Sequence, residues 1–489
     1  MYLHELLAGI DYELYNGKTH INVEEVFYDS RKVGKDSLFV AIKGFKADGH
    51  KYIQCAIDKG ANTIIFEDDP GIIDHRITYV KVKNTRSTLS KIACNFYGNP
   101  SEKINIIGIT GTNGKTSISF ILHHILCHAG KKTGVIGTIG NYFGKNQRSS
   151  THTTPESLEL HGIIKEMVEN GFEYLVMEVS SHAIDLYRIA DISFKHAIFT
   201  NLTQDHLDFH GSLLEYFNSK KKLFLMSKEL NIVNCDDVHG KILLEELENK
   251  NKPVLSYGIF NKSDIYAKDI DYSTKGVSFI LSNSIMEEKL SCPIPGEFTV
   301  YNILSAISVA LYEGIQIEAI KESVKNMPTV PGRVERMNID TLYDVVIDYA
   351  HTPDGLKNVL QALKQYVKGD LITLFGCGGD RDTTKRSIMG KIAGELSDYC
   401  IITTDNPRSE EPKKIIDDII IGIKDTKCKY DVIEDRYEAI KHALNIAKKN
   451  DLILLAGKGH EIYQIFKDKT IEFDEKKVVK EILHTNDTN

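Results

Sequence analysis

Residues 110–117 read TGTNGKTS. Two glycines, a lysine and four hydroxyl residues fall where an apolar run, INIIGI (104–109), meets a helix-like stretch, KTSISFILHHILCHAG (115–130). Glycines let backbone N–H groups approach phosphate oxygens, and a helix N-terminus adds its positive end. In this pattern Lys115 reaches the β- and γ-phosphates of a nucleotide, and the Thr116 hydroxyl sits on Mg²⁺. The general motif has glycine five residues before Gly114, where this chain has Ile109, so the loop is a variant form. Its place between strand and helix favours nucleotide binding over a plain glycine turn.

Further groups follow along the chain. Glu178 ends EYLVMEV (173–179), where P-loop enzymes carry a second acid near the metal. Taken alone it reads equally as a surface carboxylate. SSH (180–182) comes next, and TNLTQDHLDFHG (200–211) packs Asp205, His206, Asp208 and His210 into one loop. That loop suits metal or phosphate contact, or simply capping. SKKKLF (219–224) reads locally as a solvated helix face.

The elements that must position these groups read as α/β throughout. In residues 1–100, strand-like INVEEVFYDS (21–30), SLFVAIKG (37–44) and NTIIFED (62–68) accompany helix-like HKYIQCAIDKG (50–60). They predict a small α/β domain, closed by the turn-rich YGNPSEK (97–103). In residues 101–330, strands at 104–109, 133–140, 173–179 and 196–201 alternate with helices, which predicts a P-loop ATPase-like, mostly parallel sheet. The segment 252–292 reads as antiparallel hairpins, and TVYNILSAISVALYEG (299–314) as a helix ended by Gly314. MPTVPGR (327–333) marks a second boundary. Residues 331–489 read as a Rossmann-like, doubly wound domain. Strands DVVIDYA, LITLFG, YCIITTD and LILLAG alternate with helices near 354–367, 384–396, 413–424 and 436–449. Each strand ends in a polar cluster: Asp348 with His351, GCGGDRD, DNPRSEEP and GKGHE. Open α/β sheets bind ligands outside the carboxyl ends of their strands, so a binding face is expected there.

Bulk properties narrow the function further. The chain of 489 residues is 42% hydrophobic and 26% charged, which fits several globular domains. A net charge of −8 without a basic run argues against nucleic acid as a main partner. No stretch approaches the ~18 apolar residues of a membrane span, and MYLHELLAGIDYEL lacks a signal peptide's apolar centre. The eight cysteines form no CxxC pair, which argues against a zinc site or disulfide framework and for reduced thiols in a cytoplasm. A monomer acting on small molecules is expected.

TGTNGKT, MEVSSH, TNLTQDHLDFHG, PGRVERM, DYAHTPD and AGKGHE together resemble, in order and spacing, the Mur ligases. These are the ATP-dependent amide ligases that build the peptidoglycan stem peptide. The resemblance spans essentially the whole chain, including YDSRKV and DSLFVAIKGFKADGHKYI near the N-terminus. Within the family it points to the members that add the third residue. DNPR (405–408) is similar to the tetrapeptide of those that add meso-diaminopimelate rather than L-lysine. Diaminopimelate is lysine with a second carboxylate at its far end, which Arg408 can hold by a bidentate fork. A lysine substrate would leave that guanidinium unpaired.

The resemblance implies the following roles. ATP lies on Gly111, Thr112, Asn113, Gly114, Lys115, Thr116 and Ser117, with Asn302, Arg333 and His351. Thr116, Glu178, His206 and Lys220 look like the Mg²⁺ neighbourhood, with Lys220 matching the family's carbamylated lysine (N6-carboxylysine). One-residue slips leave Lys221 and Lys222 as rivals. Lys115, Glu178, His206 and Lys220 are the catalytic set. Ser30 looks like a uridine contact, and Thr153, Thr154, Ser180 and Arg188 like contacts to the UDP-sugar peptide. Arg381, Asp405, Asn406, Pro407, Arg408, Gly457 and Glu461 look like the diaminopimelate pocket. At Thr299 relatives commonly have Asn.

The implied reaction is addition of meso-diaminopimelate to UDP-N-acetylmuramoyl-L-alanyl-D-glutamate through an acyl phosphate. It belongs to cell-wall biogenesis, and through it to cell shape and division. Three other readings compete: the same ligation with L-lysine, a folylpolyglutamate synthetase, and a P-loop ATPase that switches conformation on binding partners.

Overall fold

The computed structural model describes residues 1–489 apart from 45–46, 72, 144–145, 149–151, 274–275 and 488–489. Phe45 and Lys46 of the N-terminal resemblance, and two residues between the expected hairpin strands, therefore lie outside the described residues. The chain divides into two compact units. The first is Met1–Thr110, Gly130–Ala197 and Ser219–Leu230; the second is Gly111–Ala129, Ile198–Asn218 and Asn231–Asn489.

The first unit holds a five-stranded sheet in the order Tyr12–Asn16, Thr78–Val82, Ala61–Phe66, Ser37–Val40, Val26–Phe27. Only Tyr12–Asn16 runs antiparallel. Alternate residues face opposite ways along a strand. Leu38, Val40, Ile65 and Val80 accordingly pack with Leu89 and Ile92 of the helix Thr85–Phe96, while Phe39, Ile64 and Tyr79 pack with Ile53 and Ala56. The run at 21–30 forms much less strand than expected, only Val26–Phe27. The same unit pairs Tyr174–Glu178 in parallel with both Asn105–Thr110 and Thr133–Gly137. Strands buried on both faces read as unbroken apolar runs, which is why INIIGIT and EYLVME were recognisable. Gly140–Phe143 and Asn146–Arg148 then fold back antiparallel.

In the second unit the segment 252–292 departs from the expected hairpins. Val254–Gly258 pairs in parallel with Leu230–Asn234, and Ile265–Ser273 joins Val254–Gly258 in parallel as well. The helix Val238–Asn249 supplies the long crossover that a parallel pair needs. Only Ile265–Ser273, Gly276–Ser282 and Glu287–Cys292 form an antiparallel meander. The helix Glu297–Tyr312 follows, and Gly314 ends it with φ +76° and an N–H bond to Leu311 O of 3.0 Å.

The C-terminal sheet runs Glu335–Arg336, Asp344–Asp348, Leu452–Ala456, Leu371–Phe375, Tyr399–Ile402, Lys429–Val432, parallel except for the first strand. Helices cover both faces. Leu356, Leu360, Met389 and Ile419 pack on one side, and Ala439, Ile440, Val479 and Ile482 on the other. Leu452–Ala456 lies between Asp344–Asp348 and Leu371–Phe375, so the strand order reverses there. All four polar clusters stand at that carboxyl edge. Among the described residues no helix is long and apolar enough to cross a membrane.

Candidate active site

The loop 111–114 is shaped by close approach. Gly111 has φ +149°, and a Cβ there would lie 1.8 Å from Thr200 Oγ1. Gly114 has φ +89°, and a Cβ there would meet Asn302 Oδ1 at 2.8 Å. Thr200–Thr203 braces the loop. Asn201 O accepts from Thr112 N (2.9 Å) and Asn201 Oδ1 from Asn113 N (2.9 Å). Thr200 Oγ1 donates to Asn113 O (2.7 Å), and Thr203 N donates to Thr112 Oγ1 (3.0 Å). Lys115 opens the helix Lys115–His128, and its Nζ curls back onto the carbonyls of Gly111 (2.9 Å) and Thr112 (2.8 Å). The ammonium is thus held over the loop. Ser117 is half-buried in the first helical turn.

Residues far along the chain converge on this loop. Arg333 Nη2 donates to Thr116 Oγ1 (3.0 Å), and its guanidinium lies 4.7 Å from the centre of the Tyr349 ring. Its buried Nε has no hydrogen-bond partner among the described residues, which fits an anionic ligand at this point. Asn113 Nδ2 donates to Asp354 Oδ2 (2.8 Å), and burial raises the pKa of that carboxyl. His351 Nδ1 lies 2.9 Å from Tyr349 O, a pairing that places the proton on Nδ1. Burial, and then the Lys385 charge, lower the His351 pKa to about 4, so the ring is neutral at pH 7. Asp205 has the opposite balance. Burial disfavours its charge, but His206, His351 and Lys385 outweigh that and hold its pKa low. His206 has φ +54° and opens the short helix Leu207–His210, which carries Asp208 and His210.

The first unit gathers the other expected residues. Glu178 is 1% exposed and ends its strand. Its carboxylate accepts from Thr138 N (2.9 Å) and Thr138 Oγ1 (3.0 Å). A Cβ on Gly137 would sit 2.2 Å from Glu178 Oε1, so only glycine fits beside it. Thr153 Oγ1 lies 3.1 Å from Thr138 Oγ1. Thr154 Oγ1 donates to Glu178 O (2.9 Å) and accepts from Ser180 N (3.1 Å). Arg188 Nη1 donates to Thr154 O (3.0 Å), and its Nε lies 3.3 Å from Glu156. Thr153, Thr154, Ser180 and Arg188 therefore form one cluster. Ser30 is buried. Lys220 is 1% exposed, whereas Lys221 is half-buried and Lys222 is exposed on Asp185 (2.6 Å). The expected solvated face thus holds for Lys222 and fails for Lys220. Glu178 and Lys220 belong to the first unit, Thr116 and His206 to the second. The Glu178 carboxylate is an oxygen donor, the kind Mg²⁺ takes.

At the C-terminal sheet the DNPR loop is tightly fixed. Arg408 has φ +53°, its N–H donates to Ile465 O (3.0 Å), and its Nη1 donates to Gly379 O (2.6 Å). Burial, with Arg381 nearby, lowers its pKa, so the charge is held at a cost. Arg381 is exposed and bonds Asp380 O (3.1 Å). Asn406 Nδ2 donates to Glu461 Oε2 (2.8 Å), and Gln464 Nε2 donates to Asp405 O (2.9 Å). Gly457 has φ +109°, and a Cβ there would lie 2.7 Å from Asp405 Oδ2. Pro407 O would meet a Cβ on Gly379 at 1.9 Å. The loops after three strands thus interlock, and Asp405–Arg408, Gly457 and Glu461 come together as expected. The sequence reading missed Thr138, Thr200, Asn201, Asp354 and Lys458. All but Thr138 stood in runs already singled out: Thr200 and Asn201 in TNLTQDHLDFHG, Asp354 in DYAHTPD and Lys458 in AGKGHE.

The sequence matches "Mur ligase family, catalytic domain" over residues 22–97, "Mur ligase middle domain" over 109–310 and "Mur ligase, glutamate ligase domain" over 332–459. It is 48% identical over 489 residues, 99% of both chains, to the UDP-N-acetylmuramoyl-L-alanyl-D-glutamate--2,6-diaminopimelate ligase of Clostridium tetani. This chain belongs to the Mur ligase family. It is accordingly an ATP-dependent amide ligase of mixed α/β fold. A second Mur ligase of the same name, from Caldanaerobacter subterraneus subsp. tengcongensis, is 48% identical over 487 residues, again 99% of each. A solved structure of a Mur ligase with that name superposes with a TM-score of 0.70, at 30% identity and 99% coverage of both chains.

Proposed function

We propose that this chain joins meso-diaminopimelate to UDP-N-acetylmuramoyl-L-alanyl-D-glutamate at the expense of ATP, in the synthesis of peptidoglycan precursors. The DNPR loop carries the choice of amine. Arg408 is a guanidinium held at a cost of burial beside Arg381, and Glu461 lies across Asn406 from the same loop. A cation and an anion together match a far end that bears both carboxylate and ammonium. L-Lysine, the nearest alternative, would leave half-buried Arg408 without its carboxylate, and a partly desolvated charge left unpaired is costly.

The roles follow the residues. Residues 111–117 with Asn302, Arg333 and His351 bind ATP, and Lys115 neutralises charge developing at the γ-phosphate. Thr116, Glu178, His206 and a carboxylated Lys220 would hold Mg²⁺, which would supply further charge neutralisation on the phosphates. Ser30, Thr153, Thr154, Ser180 and Arg188 bind the UDP-linked dipeptide. A γ-carboxylate oxygen of its D-glutamate attacks the γ-phosphorus, giving an acyl phosphate and ADP. The amine of diaminopimelate then attacks the acyl carbon, and phosphate leaves. Neutral His351 can accept a hydrogen bond at Nε2 without adding charge. Regions 1–100, 101–330 and 331–489 serve the UDP-substrate, the nucleotide and the amino acid in turn. The protein acts as a monomer in the cytoplasm.

The test is a competition. The UDP-linked dipeptide, ATP and Mg²⁺ are incubated with equal meso-diaminopimelate and L-lysine, and products are weighed by mass spectrometry. Only the diaminopimelate adduct is expected. A lysine adduct of equal abundance would overturn the assignment to Arg408.

A further inference from the structure

Lys458 has no part in the roles above. It lies in the turn after Leu452–Ala456, and its exposure is 0%. Lysines are almost never buried to this degree unless paired. Its Nζ donates to Asn406 Oδ1 (3.2 Å) and Glu461 Oε2 (3.4 Å), and stands 5.9 Å from the centre of the Tyr463 ring. Ile465 N also donates to Asn406 Oδ1 (3.0 Å). Two donors therefore fix which end of the amide is oxygen, and turn Nδ2 onto Glu461 Oε2 (2.8 Å). Oε2 takes both protein donors, and Oε1 takes none among the described residues. A carboxylate arranged in this way offers one oxygen to a ligand.

The charge on Glu461 depends on its surroundings. Burial and the neighbouring Asp405 raise its pKa, while Lys458 and Asn406 lower it. Tyr349, Tyr463 and Arg408 are the other titratable or charged groups facing it. Lys458 is the cation in direct contact.

We infer that Lys458 is a positioning residue for the amino-acid substrate: it holds Glu461 as a carboxylate and orients Asn406, so that Glu461 Oε1 receives a substrate ammonium. This rests on the amino-acid role proposed above for the DNPR loop. Removing the cation raises the Glu461 pKa, so the carboxylate is lost at a higher pH. The acid limb of kcat/KM for diaminopimelate then moves upward.

The experiment measures initial rates against pH for the full chain, Lys458→Met, Glu461→Gln and the pair, with ATP and UDP-substrate saturating. Lys458→Met should move the acid limb up by about 1–3 pH units, with roughly tenfold loss per unit below it. The loss should fall on KM for diaminopimelate and not on KM for ATP. Glu461→Gln should abolish the limb, and the pair should match Glu461→Gln. Should Lys458→Met fail to fold, the pair leaves no buried charge alone and still carries the comparison. An equal loss at every pH, a matching rise in KM for ATP, or a pair much weaker than Glu461→Gln would overturn the inference. An unaltered protein that forms no amide with diaminopimelate would instead refute the functional reading beneath it.

Discussion

Gly111→Ala tests how the phosphate loop is built. The native φ of +149° is one that residues with a side chain seldom adopt. Holding alanine there costs about 1–3 kcal/mol. The new Cβ would also lie 1.8 Å from Thr200 Oγ1 and 3.0 Å from Asn201 O. Thr200 must rotate, which breaks its bond to Asn113 O (2.7 Å) at about 1 kcal/mol. The sum, about 2–4 kcal/mol, falls on the loop geometry that binds phosphate and corresponds to roughly 30- to 1,000-fold weaker nucleotide binding. Calorimetric titration with ADP and Mg²⁺ measures this, with the melting temperature as a check on folding. Thr200→Ala in the same chain should recover part of the loss, because it removes Oγ1 but leaves a Cβ beside the new methyl. If Gly111→Ala binds ADP as the unaltered protein does, the account of the loop is wrong.

Three further outcomes are expected. His161 is wholly buried, neither ring nitrogen has a hydrogen-bond partner among the described residues, and burial lowers its pKa from 6.5 to about 4. The unfolded chain therefore takes the proton first. Stability falls as pH drops from 6.5 toward 4, by roughly 3 kcal/mol in all, and His161→Leu should flatten that slope in denaturant melts. Arg408→Met should raise KM for diaminopimelate by the equivalent of about 2–5 kcal/mol while leaving KM for ATP alone; unchanged selectivity over lysine would refute the role. Protein equilibrated with ¹³C-bicarbonate should show a carbamate carbon resonance that Lys220→Met lacks and Lys222→Met keeps.

What the sequence revealed, and what it hid, follows from where the constraint lies. The nucleotide loop was legible because its chemistry needs glycine, lysine and threonine in one short run. The C-terminal strands were legible because parallel strands buried on both faces are unbroken apolar runs, each stopped by polar residues at the binding edge. The braces were not. Thr200 and Asn201 hold Asn113 from almost ninety residues away, and nothing local in either segment announces the pairing. Val254–Gly258 read as part of a hairpin because its parallel partner is set by the crossover helix, not by its own residues. Lys220 is a different case. Tyr216, Phe217, Leu223 and Phe224 are buried on the same helix, and position 220 falls on their face by helical spacing. The run of three lysines concealed a periodicity that was present. Lys458 stood inside the AGKGHE run, but the general exposure of lysine hid its role there, which its burial and its two partners bring out.

The central claim is that nucleotide cleavage here is coupled to amide formation with one kind of amine. Phosphate release from ATP should be measured with Mg²⁺ and UDP-N-acetylmuramoyl-L-alanyl-D-glutamate, in the presence of meso-diaminopimelate, of L-lysine, and of neither. The account predicts sustained release only with diaminopimelate, one phosphate for each amide formed. Sustained release that ignores the amine would contradict it and point to a nucleotide-driven conformational switch.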